Sequence, residues 1–148
     1  MDCQRYRDKI RQLEEEINRY KYDHLTGLLQ RRDFENDFFA KFSGGCNFYL
    51  TLVDINNLHD INREKGYRYG DMVIRQIATA LLKFTKREGG VIYRIGGDEF
   101  AILSTSIVDL SKIEGITTSF DHSAAFETLD DFFKSVDEDV IEKKKKRR

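Results

Sequence analysis

Two adjacent glycines followed by two adjacent carboxylates, in the run Arg94-Ile95-Gly96-Gly97-Asp98-Glu99-Phe100, constrain this chain more than any other stretch. Strand-like segments flank them at residues 91–94 and 100–103, so the glycine pair reads as a tight hairpin turn. Glycine takes positive φ without steric cost, which such turns demand. A hairpin here makes two neighbouring antiparallel strands and aims the oxygens of Asp98 and Glu99 above the sheet edge. Lacking Cβ atoms, Gly96 and Gly97 also leave room for a ligand to approach the backbone. An ordinary acidic hairpin fits the same residues equally well. The rest of the chain has to decide.

Hydrophobic periodicity predicts alternating helices and strands around the hairpin. Cys3, Tyr6, Ile10, Leu13, Ile17 and Tyr20 recur at three- and four-residue spacing with charged residues between them. That is an a/d seam, so residues 3–22 are expected to form a helix with coiled-coil potential. So short a helix is marginal alone; it either pairs with a second copy or lies on its own domain. Thr26-Gly27 marks a turn, and Phe34, Phe38, Phe39 and Phe42 give helical spacing over residues 31–42. Ser43-Gly44-Gly45 reads as a loop. Residues 48–53 are a short apolar run, expected as a buried strand ending at Asp54. A short helix over 58–63, a connection from Gly66 to Gly70 and a longer helix over 72–84 follow. The longer helix is expected to bury Val73, Ile77, Ala80, Leu81 and Phe84. A strand over 116–120 and a final helix, Leu129–Lys146, complete an α/β fold with helices flanking a sheet.

At 148 residues the chain suits one folded domain, 23–148, behind an N-terminal helix in residues 1–22. No apolar run approaches the ~20 residues of a membrane helix, and the charged N-terminus does not resemble a signal peptide. Cys3 and Cys46 stand apart with no CxxC, so neither zinc nor a disulfide is indicated and a cytoplasmic location is expected. The net charge of −1 conceals six consecutive cations at residues 143–148. That tail reads as a solvated, frayed terminus, with a nucleic-acid or membrane surface as the weaker alternative. It is too short to make nucleic acid an expected partner.

Asp54 ends its strand where open α/β sheets bind ligands. If the hairpin lies beside residues 48–53, Asp54, Asp98 and Glu99 converge. Three converging carboxylates repel one another and are best explained by divalent cations between them. Oxygen-only ligands favour Mg²⁺ or Mn²⁺ over zinc. Two such ions together can stabilise an attacking hydroxyl and a leaving phosphate.

Three segments, in order, resemble the GGDEF family, the diguanylate cyclases, which join two GTP molecules into cyclic di-GMP. Asp23-His24-Leu25-Thr26-Gly27-Leu28 with Arg31-Arg32 is similar to the family's entry motif, with Gln30 where asparagine is usual. Asp54-Ile55-Asn56 through Asn62, Gly66, Gly70 and Asp71 keeps the spacing of its nucleotide-binding segment, and Arg94 to Phe100 is the namesake motif, intact. The resemblance implies a palm-like central sheet flanked by helices, and a site for GTP with two Mg²⁺ or Mn²⁺ ions. By position it implies metal binding by Asp54, Asp98 and the Ile55 carbonyl. Glu99 is implied to bind metal or to activate the 3′-hydroxyl. Asn62 and Asp71 are implied to read guanine, Leu58 to join the substrate-binding set, and Gly96 and Gly97 to lie beneath the phosphates. A carboxylate at Asp71 can accept from N1–H and from the exocyclic amine of guanine, whereas adenine offers neither there. Leaving such groups unpaired costs about 1–3 kcal/mol each. A competing reading makes Asp71 the N-cap of the 72–84 helix. Asp23 and Arg94 are implied to form a structural ion pair, and Lys144 and Arg148 fall where the family places phosphate-binding cations.

The departures carry expectations of their own. Asn56 and His59 stand where the family usually has aspartate and lysine, and a neutral His59 would do little for triphosphate charge at pH 7. Arg87-Glu88-Gly89-Gly90 keeps the arginine of the family's inhibitory Arg-x-x-Asp pair and loses the aspartate, so product feedback is expected to be weak. Residues 104–115 leave room for about one helical turn where the family has a full helix. Asp121-His122 replaces a glycine-containing apolar stretch, so one face of the sheet is expected to be partly uncovered. Residues 136–144 are similar to a degraded form of the family's closing helix. Two functions follow: a cyclase active as a homodimer through residues 3–22, or a GTP-binding or dimerising regulator without turnover. Intact Asp54, Asn62, Asp71 and Gly96 to Phe100 favour the cyclase.

Overall fold

The apolar runs become the middle of a five-stranded sheet in the computed structural model, which describes residues 2–147. The strands are β1 (Leu29–Gln30), β2 (Tyr49–Ile55), β3 (Val91–Arg94), β4 (Glu99–Ser104) and β5 (Ile116–His122), in the order β1-β3-β4-β2-β5. Only the β1–β3 pair is parallel. Helices α1 (Cys3–Lys21), α2 (Arg31–Ser43), α3 (Leu58–Lys65), α4 (Tyr67–Arg87) and α5 (Leu129–Lys146) complete the fold. No helix among the described residues is long and apolar enough to cross a membrane.

β2 lies between β4 and β5 and is covered on both sides, which is why it reads as a continuous apolar run rather than an alternating one. Val53 and Ile55 face α4, packing with Ile74, Ile77, Ala78 and Leu81 and with Phe100 and Ile102 of β4. Leu50 and Leu52 face α2 and α5, among Phe34, Phe38, Phe132, Val136 and Val140. Rings dominate this second layer, with Phe34 stacked on Phe38 at 5.2 Å and Phe126 on Phe132 at 5.1 Å. Each buried ring contributes roughly 1.5–3 kcal/mol by leaving water. Tyr93 is fully buried, and its hydroxyl donates to Asp37 at 2.6 Å.

Several expectations need correction. The stretch from Gly66 to Gly70 is not a connection: Gly66 alone, at φ 88°, separates α3 from α4. Gly70 lies inside α4, where a Cβ would fall 1.7 Å from Asn62 Oδ1, so any larger residue would force the Asn62 side chain to move. Asp71 is therefore in the second turn of α4, and the N-cap reading fails. The buried face of α4 adds Ile74, Ala78 and Thr85, while Ala80 is only partly covered.

Residues 105–115 contain no helix. Val108 and Leu110 dip into the core beside α4, yet Ile107 and Phe120 stay 49% and 48% exposed around an open groove with Thr51 and Thr118. The partly uncovered sheet face is thus present. β5 runs two residues further than expected, through Asp121 and His122. The closing helix is not degraded as a helix: Thr128 caps it and Phe132, Val136 and Val140 anchor it. α1 buries none of its residues, so the reading that lays it on its own domain fails as well. Its seam is open to solvent, from 43% exposure at Leu13 to 79% at Tyr20.

Candidate active site

Strand alternation carries the core pattern straight into the site. Successive residues of a strand point to opposite faces, so Asp54 shares the α2/α5 face with Leu50 and Leu52. Across the ladder, β2 pairs antiparallel with β4, and Asp54 lies directly opposite Glu99. Asp98 immediately precedes Glu99, and its carbonyl accepts from the Ile55 N–H at 2.8 Å, tying the hairpin tip to the end of β2. Asp54, Asp98 and Glu99 each bring a carboxylate oxygen within 4.8 Å of the other two.

The tip is built differently from the tight turn expected. Neither Gly96 nor Gly97 has positive φ. Four residues, 95–98, link β3 to β4, and a connection of that length does not require the left-handed geometry of a two-residue hairpin. The N–H groups of Ile95 and Gly96 both donate to the Glu99 carbonyl, at 3.0 and 3.3 Å. Glycine matters at 96 for closeness, since a Cβ would meet Glu99 Oε2 at 3.0 Å. At Gly97 a Cβ would meet nothing within 4 Å, so the backbone there is open on its outer side.

Asp23 and Arg94 form the ion pair that braces this tip. Arg94 Nη1 donates to both Asp23 oxygens at 3.0 and 3.1 Å, and Nη2 donates to the Gly97 carbonyl at 2.8 Å. Thr26 supplies two more donors to Asp23, from its N–H at 2.9 Å and its hydroxyl at 2.7 Å. Burial alone would raise the Asp23 pKa, but the bonds from Thr26 and Arg94 outweigh it and hold the group below the usual carboxylate range.

The acidic cluster behaves oppositely. Burial pushes Asp54 above the ordinary carboxylate range and the charge of Asp98 adds to it, against the pull of Lys144 and Arg147. Burial likewise raises Glu99, reinforced by Asp98, Asp54 and Asp137 and opposed by Arg31. Hard oxygen donors, crowded and partly desolvated, fit a divalent cation. A cavity of about 170 Å³ lies beside them, lined by Arg31, Asp54, Glu99, Phe133, Asp137 and Val140. Asp137 and the lining role of Arg31 escaped the sequence reading. The available signal was helical spacing, because Asp137, Val140 and Lys144 fall at i, i+3 and i+7 on one face of α5.

Of the other residues singled out, Asn62 packs against Gly70 and Asp71 follows on α4, half-buried. Neither is hydrogen-bonded to the carboxylates among the described residues. Leu58 opens α3 and packs into the core at 8% exposure, which leaves a ligand little of its surface. Lys144 reaches Asp54 Oδ1 at 2.7 Å, so this part of the tail is neither frayed nor freely solvated. Arg148 lies outside the described residues. Asn56 is held by β5, accepting from the Thr117 hydroxyl at 2.7 Å and donating its N–H to the Gly115 carbonyl at 2.8 Å. His59 is exposed. Arg87 rests over the Phe84 ring, 5.1 Å from its centroid. At Gly90 a Cβ would press on Thr85, the Leu103 carbonyl and Ser104 at 3.0–3.2 Å, so the space for the missing aspartate's stem is already taken.

Residues 20–127 match the family model for the diguanylate cyclase GGDEF domain. The chain is 37% identical over 83 residues to diguanylate cyclase VdcA of Vibrio cholerae, covering 56% of this chain and 24% of that protein. It is 38% identical over 87 residues to diguanylate cyclase DgcZ of Escherichia coli, covering 57% and 29%. The chain thus matches less than a third of the length of either relative. Among solved structures, the coiled coil and GGDEF domain of DgcB from Caulobacter crescentus, in complex with c-di-GMP, superposes with a TM-score of 0.77. That match covers 98% of this chain and 90% of the other at 19% identity, a likeness of fold. With its motif carried on this sheet and its sequence matched over most of its length, the chain belongs to the GGDEF family.

Proposed function

We propose that this protein is a diguanylate cyclase that condenses two GTP molecules into cyclic di-GMP, as a homodimer paired through α1, with two Mg²⁺ or Mn²⁺ ions at each site. The observation that carries this reading is the convergence of Asp54, Asp98 and Glu99 at the tip of the β2–β4 ladder. Each domain holds one GTP, with Asn62 and Asp71 reading guanine. The phosphates lie over the open backbone at Gly97 and near Lys144. When bound, the cations would neutralise triphosphate charge and stabilise the attacking 3′-oxygen and the leaving pyrophosphate.

Asp54 and Asp98, with the Ile55 carbonyl, would hold those cations, while the Asp23–Arg94 brace keeps the tip from drifting. Glu99 accepts the proton of the 3′-hydroxyl, a task suited to a carboxylate whose proton affinity burial and its neighbours raise. The 3′-oxygen bonds to the α-phosphorus of the GTP on the facing domain, and pyrophosphate leaves. A second such step closes the ring. Alignment of two substrates supplies much of the rate, because it replaces a collision between separate molecules.

The test is incubation of the purified protein with Mg²⁺ and either GTP or ATP, with products identified by mass. Cyclic di-GMP and pyrophosphate from GTP alone are expected. GTP binding without any product would establish a regulator instead. Product feedback is a separate expectation: turnover should be unchanged when cyclic di-GMP is added at saturating concentration, because Gly90 supplies no carboxylate to partner Arg87. Tight product binding lost in Arg87→Ala would refute that.

A further inference from the structure

The cation site and the end of α5 are locked together by one contact. Lys144 Nζ lies 2.7 Å from Asp54 Oδ1, with the lysine side chain 27% exposed and the aspartate 9%. The geometry is imposed rather than incidental. Lys143, one residue earlier, donates to the Thr118 carbonyl at 2.8 Å and pairs with Asp139 at 3.2 Å, which pins the last turn of α5 to β5. β5 is the direct neighbour of β2, and Thr117 stands opposite Asp54. Of the four lysines at 143–146, only Lys144 is delivered to the acidic cluster among the described residues.

An ammonium on Asp54 and a divalent cation among the same three carboxylates compete for the same negative charge, and two cations crowded there repel each other. We propose that Lys144 is a built-in counterion for the three carboxylates, displaced from Asp54 when a cation binds them. This rests on reading Asp54, Asp98 and Glu99 as a cation site. It goes further by giving Lys144 two successive partners, first the Asp54 carboxylate and then the phosphates of the incoming nucleotide. The lysine keeps three crowded carboxylates tolerable before loading, then moves to the charge that the cation brings with it. It also makes cation binding weaker than the bare cluster would allow, so the site favours a cation that arrives already carrying a polyphosphate.

The experiment is a Mn²⁺ titration of the intact chain without nucleotide, followed by electron paramagnetic resonance, on wild type, Lys144→Met, Lys145→Met and Asp54→Asn. Lys144→Met should bind Mn²⁺ about tenfold more tightly than wild type, the scale of one charge-assisted hydrogen bond no longer to be broken. Lys145→Met should match wild type, and Asp54→Asn should lose the site. A second readout needs no variant. Acylation of lysines followed by mass spectrometry should find Lys144 protected in chelator and reactive once Mn²⁺ is added, with Lys145 reactive throughout. Mn²⁺ binding that requires Asp54 but is unaltered or weakened by Lys144→Met, with no change in Lys144 reactivity, overturns the displacement alone. Absence of any Asp54-dependent Mn²⁺ binding overturns both the displacement and the cation site.

Discussion

Asp98→Asn should lower cyclic di-GMP synthesis by about 10²- to 10³-fold and at the same time raise the melting temperature of the cation-free protein. The first effect follows from removing one charged oxygen from a site whose work is electrostatic. The second follows from crowding. Asp98 pushes up the pKa of both Asp54 and Glu99, so the three charges oppose one another in the folded state. Its amide replacement keeps the size of the side chain, and the backbone carbonyl that accepts from Ile55 stays in place.

Relief of that repulsion is on the order of 1 kcal/mol at a partly exposed site. For a chain of this size it should appear as a rise of roughly 2–5 °C in chelating buffer. The pH dependence has a defined sign. Asp54 and Glu99 have folded pKa values above their unfolded ones, so they cost stability as pH rises from the ordinary carboxylate range through the raised values. The advantage of Asp98→Asn should therefore be present at neutral pH and vanish below about pH 4. With excess Mg²⁺ and GTP the order should invert, because wild type gains more from its cations. Retained synthesis in Asp98→Asn would remove this carboxylate from the chemistry. A lower melting temperature in chelator would make it a structural group.

The parts of the fold legible in the sequence are those where one local pattern decides the outcome. α5 falls at Leu129–Lys146 as its apolar spacing predicts, and β2 ends at Ile55, one residue past the expected carboxylate. The adjacency of Asp98 and Glu99 at a strand tip was legible from the hairpin. Their convergence with Asp54 was only conditional, because it depends on β2 pairing with β4, and local pattern fixes only β3 with β4. What stayed hidden depends on contacts between distant segments. Gly70 resembles a breaker until Asn62 is packed against it. Gly96 resembles a residue needed for positive φ, yet what it provides is space for the Glu99 carboxylate. Lys144 and Asp54 are 90 residues apart, and nothing local to either announces their pairing. Asn56, a departure from the family pattern, proves to be a polar clamp between β2 and β5, a role that needed the fold to be seen.

Ile10→Asp combined with Ile17→Asp should leave the domain folded and abolish the pairing through α1 proposed above. Neither residue is buried in the domain, at 55% and 60% exposure, so the substitutions remove no packing from the core. Both belong to the seam with Tyr6, Leu13 and Tyr20, and burying aspartates in a helix pair is strongly unfavourable. A paired α1 would convert the meeting of two GTP-loaded domains into an intramolecular event at an effective concentration on the order of millimolar, a gain of roughly 10²–10⁴ over free association. Synthesis at low protein concentration should accordingly fall about 100-fold or more, while GTP binding per domain is unchanged. Two further measurements separate assembly from damage. Specific activity of the variant should climb with protein concentration, and replacing residues 3–21 by an unrelated parallel dimeric coiled coil in matching register should restore it. The register matters because Gln30 Nε2 donates to the Tyr20 carbonyl at 2.9 Å, which fixes the end of α1 to the strand beside the Arg94 brace. Unaltered self-association and synthesis in the double variant would show that the domains meet through another surface. The open groove at Ile107 and Phe120 would then be the first place to look.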